Sequence, residues 1–127
     1  MKKRIALLIL AIGLLAVAGG CELYTGITLT WGVINTVTSS SYTTVNYWVE
    51  NQGQYDLTGV NLEFGLDTTG YGTYTYTGVT PSFSINQGQT ISSSIVIYTP
   101  SYVYNAAVLM VDMDSPSGSK TVIYKKD

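Results

Sequence analysis

The sequence contains no histidine, a single cysteine and few charges, with 6 Lys+Arg and 8 Asp+Glu among 127 residues. Without histidine the usual general base and the commonest metal ligand are missing, and a Ser-His-Asp hydrolase triad cannot be built. One cysteine excludes an intramolecular disulfide and a cysteine zinc site. Gly70-Tyr71-Gly72 lacks the lysine and the following helix of a phosphate-binding loop. The sequence therefore predicts a protein that is not an enzyme and holds no cofactor.

Positive charge is absent from most of the chain, since no lysine or arginine occurs between Arg4 and Lys120. Proteins that bind nucleic acids are usually basic, whereas this chain has a formal charge of −2, so nucleic acid is excluded as a partner. An acidic body is also repelled by anionic lipid head groups. Contact with a membrane must then come through a covalent lipid.

The N-terminus has the three parts of a secretory signal peptide. The basic start Met1-Lys2-Lys3-Arg4 is followed by an uncharged apolar run over 5–20 that ends in small residues. A helix of that length spans about 24 Å, which is shorter than the ~30 Å hydrocarbon core of a bilayer. Residues 1–20 are therefore predicted to be a signal-peptide helix.

Cys21 follows the small residues directly, and this stretch resembles a bacterial lipoprotein signal, in which the cysteine is acylated after cleavage just before it. The resemblance implies a lipid anchor such as palmitate on Cys21, a short tether over 21–25 and a domain over 26–127. The protein would be held at the outer membrane or the outer face of the cytoplasmic membrane. Cleavage after Ala18, in an A-x-A context, is the alternative and would secrete the protein. Processing before Cys21 leaves eight acidic residues against three lysines, a formal charge of −5.

Beyond Cys21 the apolar residues recur with period two, the pattern of strands with one buried face. Gly, Asn, Ser and Pro clusters separate these runs at short intervals. About seven short antiparallel strands without a helical segment predict an all-β, immunoglobulin-like β-sandwich, with a small barrel as the alternative. The strands are expected at 27–34, 45–50, 60–67, 71–77, 91–98, 104–113 and 121–124. Four of these runs, at 27–34, 45–50, 60–67 and 91–98, alternate, whereas 104–113 is apolar almost throughout and is predicted to be a central strand covered on both faces.

The stretch Val49 to Val60 contains Asn51, Gly53 and Asp56 and resembles the opening of the FxLYD and CARDB-type bacterial domains, which read approximately V-x-N-x-G-x-x-D-x-x-x-V. Phe64-Gly65-Leu66-Asp67 is similar to the FxLYD signature, and the turn Ile85 to Thr90 takes the place of the family's glycine turn. The resemblance covers about residues 45–112. It implies a non-catalytic immunoglobulin-like module of exported proteins and lipoproteins, often associated with adhesion or assembly.

Two groups of residues are candidates for binding. Asp112 and Asp114 lie two residues apart at a strand end and are weak candidates for calcium ligands, because carboxylates at a sandwich tip can combine with neighbouring loops. Exposed aromatic rings suit a protein partner or the rings of a neutral glycan. The aromatic residues expected to form such a surface are Trp48, Tyr71, Tyr74, Tyr76 and Tyr98, with Tyr102 and Tyr104 as an extension.

The sequence predicts an exported, lipid-anchored interaction module with an adhesion, envelope or assembly role. Two alternatives stay open. One is a carbohydrate-binding sandwich that uses surface Tyr and Trp. The other is a filament subunit that donates a strand, with 23–26 as the arm, to a neighbouring copy.

Overall fold

The computed structural model describes residues 18–22, 26–115 and 119–126, which form β-strands and connecting turns without a helix. None of these residues forms a helix suited to crossing a membrane. The strands are β1 (Ala18–Glu22), β2 (Thr28–Ser39), β3 (Tyr42–Asn51), β4 (Leu57–Asp67), β5 (Tyr74–Val79), β6 (Phe83–Ile85), β7 (Thr90–Tyr98), β8 (Asn105–Asp114) and β9 (Lys120–Lys125).

The strands form two antiparallel sheets. The four-stranded sheet has the order β1-β2-β3-β7, and the five-stranded sheet has the order β9-β8-β4-β5, with β6 also paired to β4. Neighbours in the first sheet are joined over long registers, such as Tyr42 opposite Tyr98 through Glu50 opposite Thr90. The prediction of an all-β, sandwich-like chain is therefore confirmed.

The core lies between the two sheets and is built from alternate residues of each strand. β3 of the four-stranded sheet contributes buried Val45, Tyr47 and Val49. β4 of the five-stranded sheet contributes buried Leu62, Phe64 and Leu66. The Tyr47 and Phe64 rings meet with their centroids 4.8 Å apart. This alternation of buried and exposed side chains is why these strands could be recognised in the sequence.

A β-bulge explains why the run at 104–113 is apolar at nearly every position. Glu63 pairs with Met110 but Phe64 pairs with Val108, so Leu109 is the extra residue. The buried residues change phase across it, from Val108 to Val111 and Met113. β8 is an interior strand of its sheet, as predicted, but the prediction that both faces are covered is wrong, because Leu109 and Met110 on the outer side are only half-buried.

Several strand boundaries differ from the sequence prediction. β2 continues to Ser39, well past Ile34, and the short strand β6 was not predicted. The strand expected from Tyr71 begins only at Tyr74, because the preceding residues form a loop around Asp67. At the N-terminus the backbone of Ala18–Glu22 pairs with β2, placing Cys21 opposite Leu29. Residues 1–17 and 23–25, which include most of the predicted signal peptide, tether and donor arm, lie outside the described residues.

The two Asn-Gln-Gly-Gln turns meet at the end of the sandwich where Cys21 and Leu29 pair. The carbonyl oxygen of buried Asn51 accepts a hydrogen bond from the Gly88 N–H at 2.8 Å. The Asn51 N–H donates to the Gln89 carbonyl at 3.0 Å. Asp56 accepts the Gln87 N–H at 2.9 Å. Asn51 and Asp56 of the motif at 49–60 therefore hold the backbone of the second turn in place.

Candidate functional site: the neutral face

Charge is distributed unequally between the two sheets. In the four-stranded sheet β2 and β7 contain no charged residue, β3 contains Glu50 and β1 ends at Glu22. β4, β8 and β9 of the other sheet carry both carboxylates and lysines. Since the sequence order of strands does not give their pairing, this segregation becomes visible only when β2, β3 and β7 are seen to share one sheet.

The outer side of the four-stranded sheet is here called the neutral face. Its side chains alternate with the buried ones on each strand and fall into rows set by the register. One row contains Val37, Thr44 and Val96, and the next contains Ser39, Tyr42 and Tyr98. The register places on this side Thr30, Gly32, Asn35, Val37, Ser39, Tyr42, Thr44, Asn46, Trp48, Glu50, Thr90, Ser92, Ser94, Val96 and Tyr98, with Ile34 as the extra residue at a bulge. Glu50, at the lower end, is the one charge that β2, β3 and β7 bring to it.

The upper half of the neutral face, farthest from the Cys21 and Leu29 pair, exposes apolar side chains beside Ser39 and Thr44. Val96 is 60% exposed, Val37 55% and Ile34 56%. Tyr42 and Tyr98 border them with comparable exposure. Single exposed apolar residues are ordinary, but a contiguous group on one sheet face marks an interaction surface.

Trp48 lies on the same face but lower on the strand, and a glycine fixes its position. Gly32 and Ser92 flank it across the sheet. The indole covers Gly32 so closely that a Cβ on that glycine would lie 2.6 Å from the Trp48 Nε1 atom. Trp48 is half-buried and lies on the neutral face.

Tyr98 links three rings at the upper edge of this face. Its centroid lies 6.1 Å from that of Tyr42 and 6.1 Å from that of Tyr76, and both contacts are edge-to-face. Tyr76 comes from β5 of the opposite sheet, so the contact also closes one side of the sandwich. Two of the predicted aromatic residues, Tyr76 and Tyr98, are therefore brought together.

Tyr74 is not part of this group, although it is only two residues from Tyr76. The register shifts by one residue between Leu66 and Asp67, which turns Tyr74 to the opposite side of β5. There it lies against Gly65, and the Lys126 ammonium sits 5.8 Å from its ring centroid. Burial, and then the Asp67 charge, raise the pKa of the Tyr74 hydroxyl. The sequence alternation of Tyr and Thr did not reveal this bulge.

Tyr71 is 90% exposed on a loop that a buried carboxylate organises. Asp67 Oδ1 accepts the N–H groups of Thr69 and Gly70, each at 2.9 Å, and Oδ2 accepts that of Gly72 at 2.8 Å. Burial alone would raise the pKa of the Asp67 carboxyl, but these bonds and the Thr69 hydroxyl outweigh it and lower the pKa to about 2.

Tyr104 continues this end of the molecule. Its N–H donates to the Asp67 carbonyl at 2.8 Å, and Tyr102 packs edge-to-face on it with centroids 4.9 Å apart. Tyr71, Tyr102 and Tyr104 therefore lie at the same end as Tyr42 and Tyr98, but on the loops rather than on the sheet.

Asp112 and Asp114 lie together on the outer side of the five-stranded sheet, and a lysine lies between them. Lys120 Nζ is 3.7 Å from an oxygen of each carboxylate. It also donates to the Gly59 carbonyl and, at 2.8 Å, to Asn61 Oδ1. The ammonium thus occupies the position that a bound cation would take, and the described residues contain no cluster of three or more His, Cys, Asp or Glu suited to a metal.

A cavity of about 730 Å³ opens at the Cys21 end, far from the neutral face. Its lining is mainly apolar, including Ile27, Leu57 and Met113. The carboxylates at its wall are engaged elsewhere: Asp56 accepts the Gln87 N–H, and Asp114 lies beside Lys120.

No family model, curated protein or solved structure matches this chain.

Sequence reasoning missed Ile34, Val37, Tyr42 and Val96 as members of the surface. Ile34 ends the strand predicted at 27–34, and Val37 lies beyond it. A bulge at Ile34 also shifts the alternation of buried and exposed side chains by one residue. The available signal was the absence of any charged residue in 27–49.

Proposed function

We propose that this protein is an exported, lipid-anchored interaction module that docks an uncharged partner on its neutral face. The observation that carries the proposal is the segregation of charge, which leaves Glu50 as the single charge of β2, β3 and β7 and exposes apolar side chains at their upper end, while β4, β8 and β9 of the other sheet carry carboxylates and lysines. An acidic chain can approach another surface most easily through its uncharged side.

The position of the backbone at Cys21 supports the orientation of such a module. Cys21 pairs with Leu29, which pairs with Asn51, whereas the apolar half of the neutral face begins near Tyr42. Tyr42 and Asn51 are nine residues apart on β3, or about 30 Å by strand rise. A lipid on Cys21 would hold one end at the membrane and direct the exposed rings outward.

The strand order supports an immunoglobulin-like assignment. In such folds the strands A, B and E share one sheet, and C, F and G share the other. The order β2-β3-β7 opposite β9-β8-β4 follows that arrangement. The likeness to FxLYD and CARDB-type domains, and with it a role in adhesion or assembly, forms part of this proposal.

The anchor is tested by metabolic labelling with palmitate. Wild-type protein should be labelled and Cys21→Ser should not. Unlabelled wild type, released into the medium, would instead favour cleavage after Ala18 and remove the anchor from the proposal.

The docking face is tested by placing a photo-crosslinker at Ser94, which is exposed midway along β7 on the neutral face, or at Val122, which is exposed on the charged sheet. A single adduct from Ser94 and none from Val122 is expected in intact cells. Val96→Lys should abolish the adduct, and the matched variant Val122→Lys should not. Equal adducts from both positions, or none, would contradict docking of a protein on this face; retention on a neutral-glycan gel would then favour the carbohydrate alternative.

A further inference from the structure

The lower half of the neutral face is arranged around Trp48 and differs in composition from the upper half. Gly32 and Ser92 lie beside Trp48 in the same row, and the rows above and below it consist of polar side chains. Exposed apolar side chains begin at the upper border, with Ile34 at the bulge. We call the indole and the positions around it the Trp48 patch. The eight surrounding positions are Thr30, Gly32, Asn35, Asn46, Glu50, Thr90, Ser92 and Ser94.

A glycine lets the indole lie against the sheet. The Nε1, Cε2 and Cζ2 atoms of Trp48 lie 2.6, 2.8 and 2.9 Å from the point that a Cβ of Gly32 would occupy. The indole therefore lies across the β2 backbone with one side toward the sheet, and its partial exposure comes from the other side. A ring held in this way loses little conformational freedom when a ligand stacks on it.

Hydrogen-bonding groups surround this ring. Asn46 Nδ2 donates to Asn35 Oδ1 at 2.6 Å, which leaves the Asn46 oxygen and the Asn35 NH₂ group for a ligand. In the row below Trp48, Glu50 Oε1 accepts a hydrogen bond from Gln52 Nε2 at 3.0 Å, and the other carboxylate oxygen can accept further bonds. The exposed serine hydroxyls of β7 can both donate and accept.

We propose that the Trp48 patch binds a neutral glycan. A sugar ring carries C–H groups on its faces and hydroxyl groups around its rim. The C–H groups have partial positive charge and are attracted to the negative face of the indole. The rim hydroxyls can bond to the amides, hydroxyls and carboxylate that surround Trp48. The arrangement of the patch, an aromatic ring with a polar rim, therefore matches that of the ligand.

The same composition disfavours other classes of ligand. The centre of a protein interface is usually apolar and poor in charge, whereas Trp48 has polar neighbours and Glu50 two residues away. Nucleotides and acidic glycans need cations, but β1, β2, β3 and β7 contain no lysine or arginine. The inference concerns the lower half of the neutral face and stands without a protein partner on the upper half.

Native gel electrophoresis of the whole protein through soluble polysaccharides, in mild detergent if the protein carries lipid, tests the site. The neutral probes are hydroxyethyl cellulose, galactomannan and dextran, and carboxymethyl cellulose is the anionic comparison. At least one neutral polymer should retard wild type relative to a gel without polymer, whereas carboxymethyl cellulose should not. Trp48→Ala should lose the retardation. Glu50→Gln should raise the dissociation constant about tenfold, because hydrogen bonds to a charged group are weakened.

Tryptophan emission provides a second measurement that does not depend on the folding of Trp48→Ala. The polymer that retards wild type should shift its emission. It should leave the emission of Trp48→Phe unchanged, because the remaining Trp31 is buried. An equal shift in both proteins would contradict stacking on Trp48.

Val96→Lys is the matched control, because Val96 lies on the same face in its upper half. It should keep the retardation even if it loses the adduct from Ser94, and Trp48→Ala should keep that adduct, so the two proposals fail separately. Wild type that no neutral polymer retards overturns the inference. So does a Trp48→Ala variant, folded by circular dichroism, that is retarded as strongly as wild type, or equal retardation of wild type by carboxymethyl cellulose.

Discussion

The side-chain amide of Asn51 lies 3.1 Å from the carbonyl oxygen of Ile85, although 34 residues separate them in the sequence. The same amide donates to the Tyr55 carbonyl at 2.7 Å, and Asn51 Oδ1 accepts the Gly53 N–H at 3.0 Å. One fully buried side chain thus joins the end of β3, the following turn and β6.

Asn51→Ala should destabilise the protein by about 3 kcal/mol, because buried backbone groups at three positions lose their partner and each unsatisfied group costs about 1–3 kcal/mol. Urea unfolding measures the change. Asn86→Ala is the matched control, since Asn86 begins the second Asn-Gln-Gly-Gln turn with its side chain exposed, and it should change the free energy of unfolding by less than about 1 kcal/mol. Equal losses for both variants would contradict the assigned role of Asn51.

The Asp67 carboxylate should make stability depend on acid pH. Its pKa in the folded protein is about 2, below the ordinary value of 3.8, so its stabilising contribution is present above about pH 4 and is lost as the pH falls toward 2. Thermal melts of wild type should therefore drop across this window more steeply than those of Asp67→Asn.

Asp67→Asn should also melt at a lower temperature than wild type at neutral pH. The carboxylate accepts four hydrogen bonds, whereas the amide has one accepting oxygen and its NH₂ group would face an N–H donor. The two proteins should converge near pH 2. Glu63→Gln, on the same strand, controls for the loss of one carboxylate. A constant difference between wild type and Asp67→Asn from pH 7 to 2 is the result that counts against this account.

Calcium should not raise the melting temperature of the wild-type protein, because the Lys120 ammonium already lies among the oxygens of Asp112, Asp114, Asn61 and Gly59. A ligand that binds only the folded state must raise the midpoint. Melts with calcium and with chelator provide the measurement. An upward shift in wild type would restore Asp112 and Asp114 as calcium ligands.

Lys120→Gln should cost about 1 kcal/mol or less, because the ion pairs are partly exposed and screened by solvent. The cost should shrink further as salt is added. Lys125→Gln, on the same strand, is the comparison. A salt-independent loss of several kcal/mol would mean that Lys120 acts through packing rather than charge.

Gly32→Ala should move Trp48 rather than unfold the sheet. The new methyl group would collide with the indole, but Trp48 is half-buried and can turn outward, so the free energy of unfolding should change by about 1 kcal/mol or less. Tryptophan emission should shift to longer wavelength and become easier to quench. Trp48→Phe isolates the signal of buried Trp31; an unchanged spectrum in Gly32→Ala would contradict the contact.

Strand positions followed from the sequence wherever a strand alternates regularly, as in Val60 to Leu66 or Val45 to Val49. The single-residue bulges at Ile34, Thr75 and Leu109 could not be recognised in the sequence, because a bulge depends on the partner strand. The consequences were specific. Tyr74 and Tyr76 were expected on one face and lie on two, and the apolar run in β8 was interpreted as doubly covered.

The candidate site could be predicted only in part. Trp48 and Tyr98 were recognised because they fall at polar positions of alternating strands. Val37, Tyr42 and Val96 come from three different strands, and only long-range pairing places them together. The role of Asp67 was also hidden, since its partners are backbone N–H groups that every residue except proline carries.

The register of β1 would tie the proposed cleavage before Cys21 to the edge of the four-stranded sheet. Ala18, Gly19 and Gly20 pair with Gly32, Trp31 and Thr30, whereas Cys21 and Glu22 pair with Leu29 and Thr28. A peptidase that cuts before Cys21 would strip the first three of these residues from the sheet and bare three more backbone positions of β2. In that case the uncut chain would keep residues 30–32 of β2 paired, and the cut would expose their backbone groups.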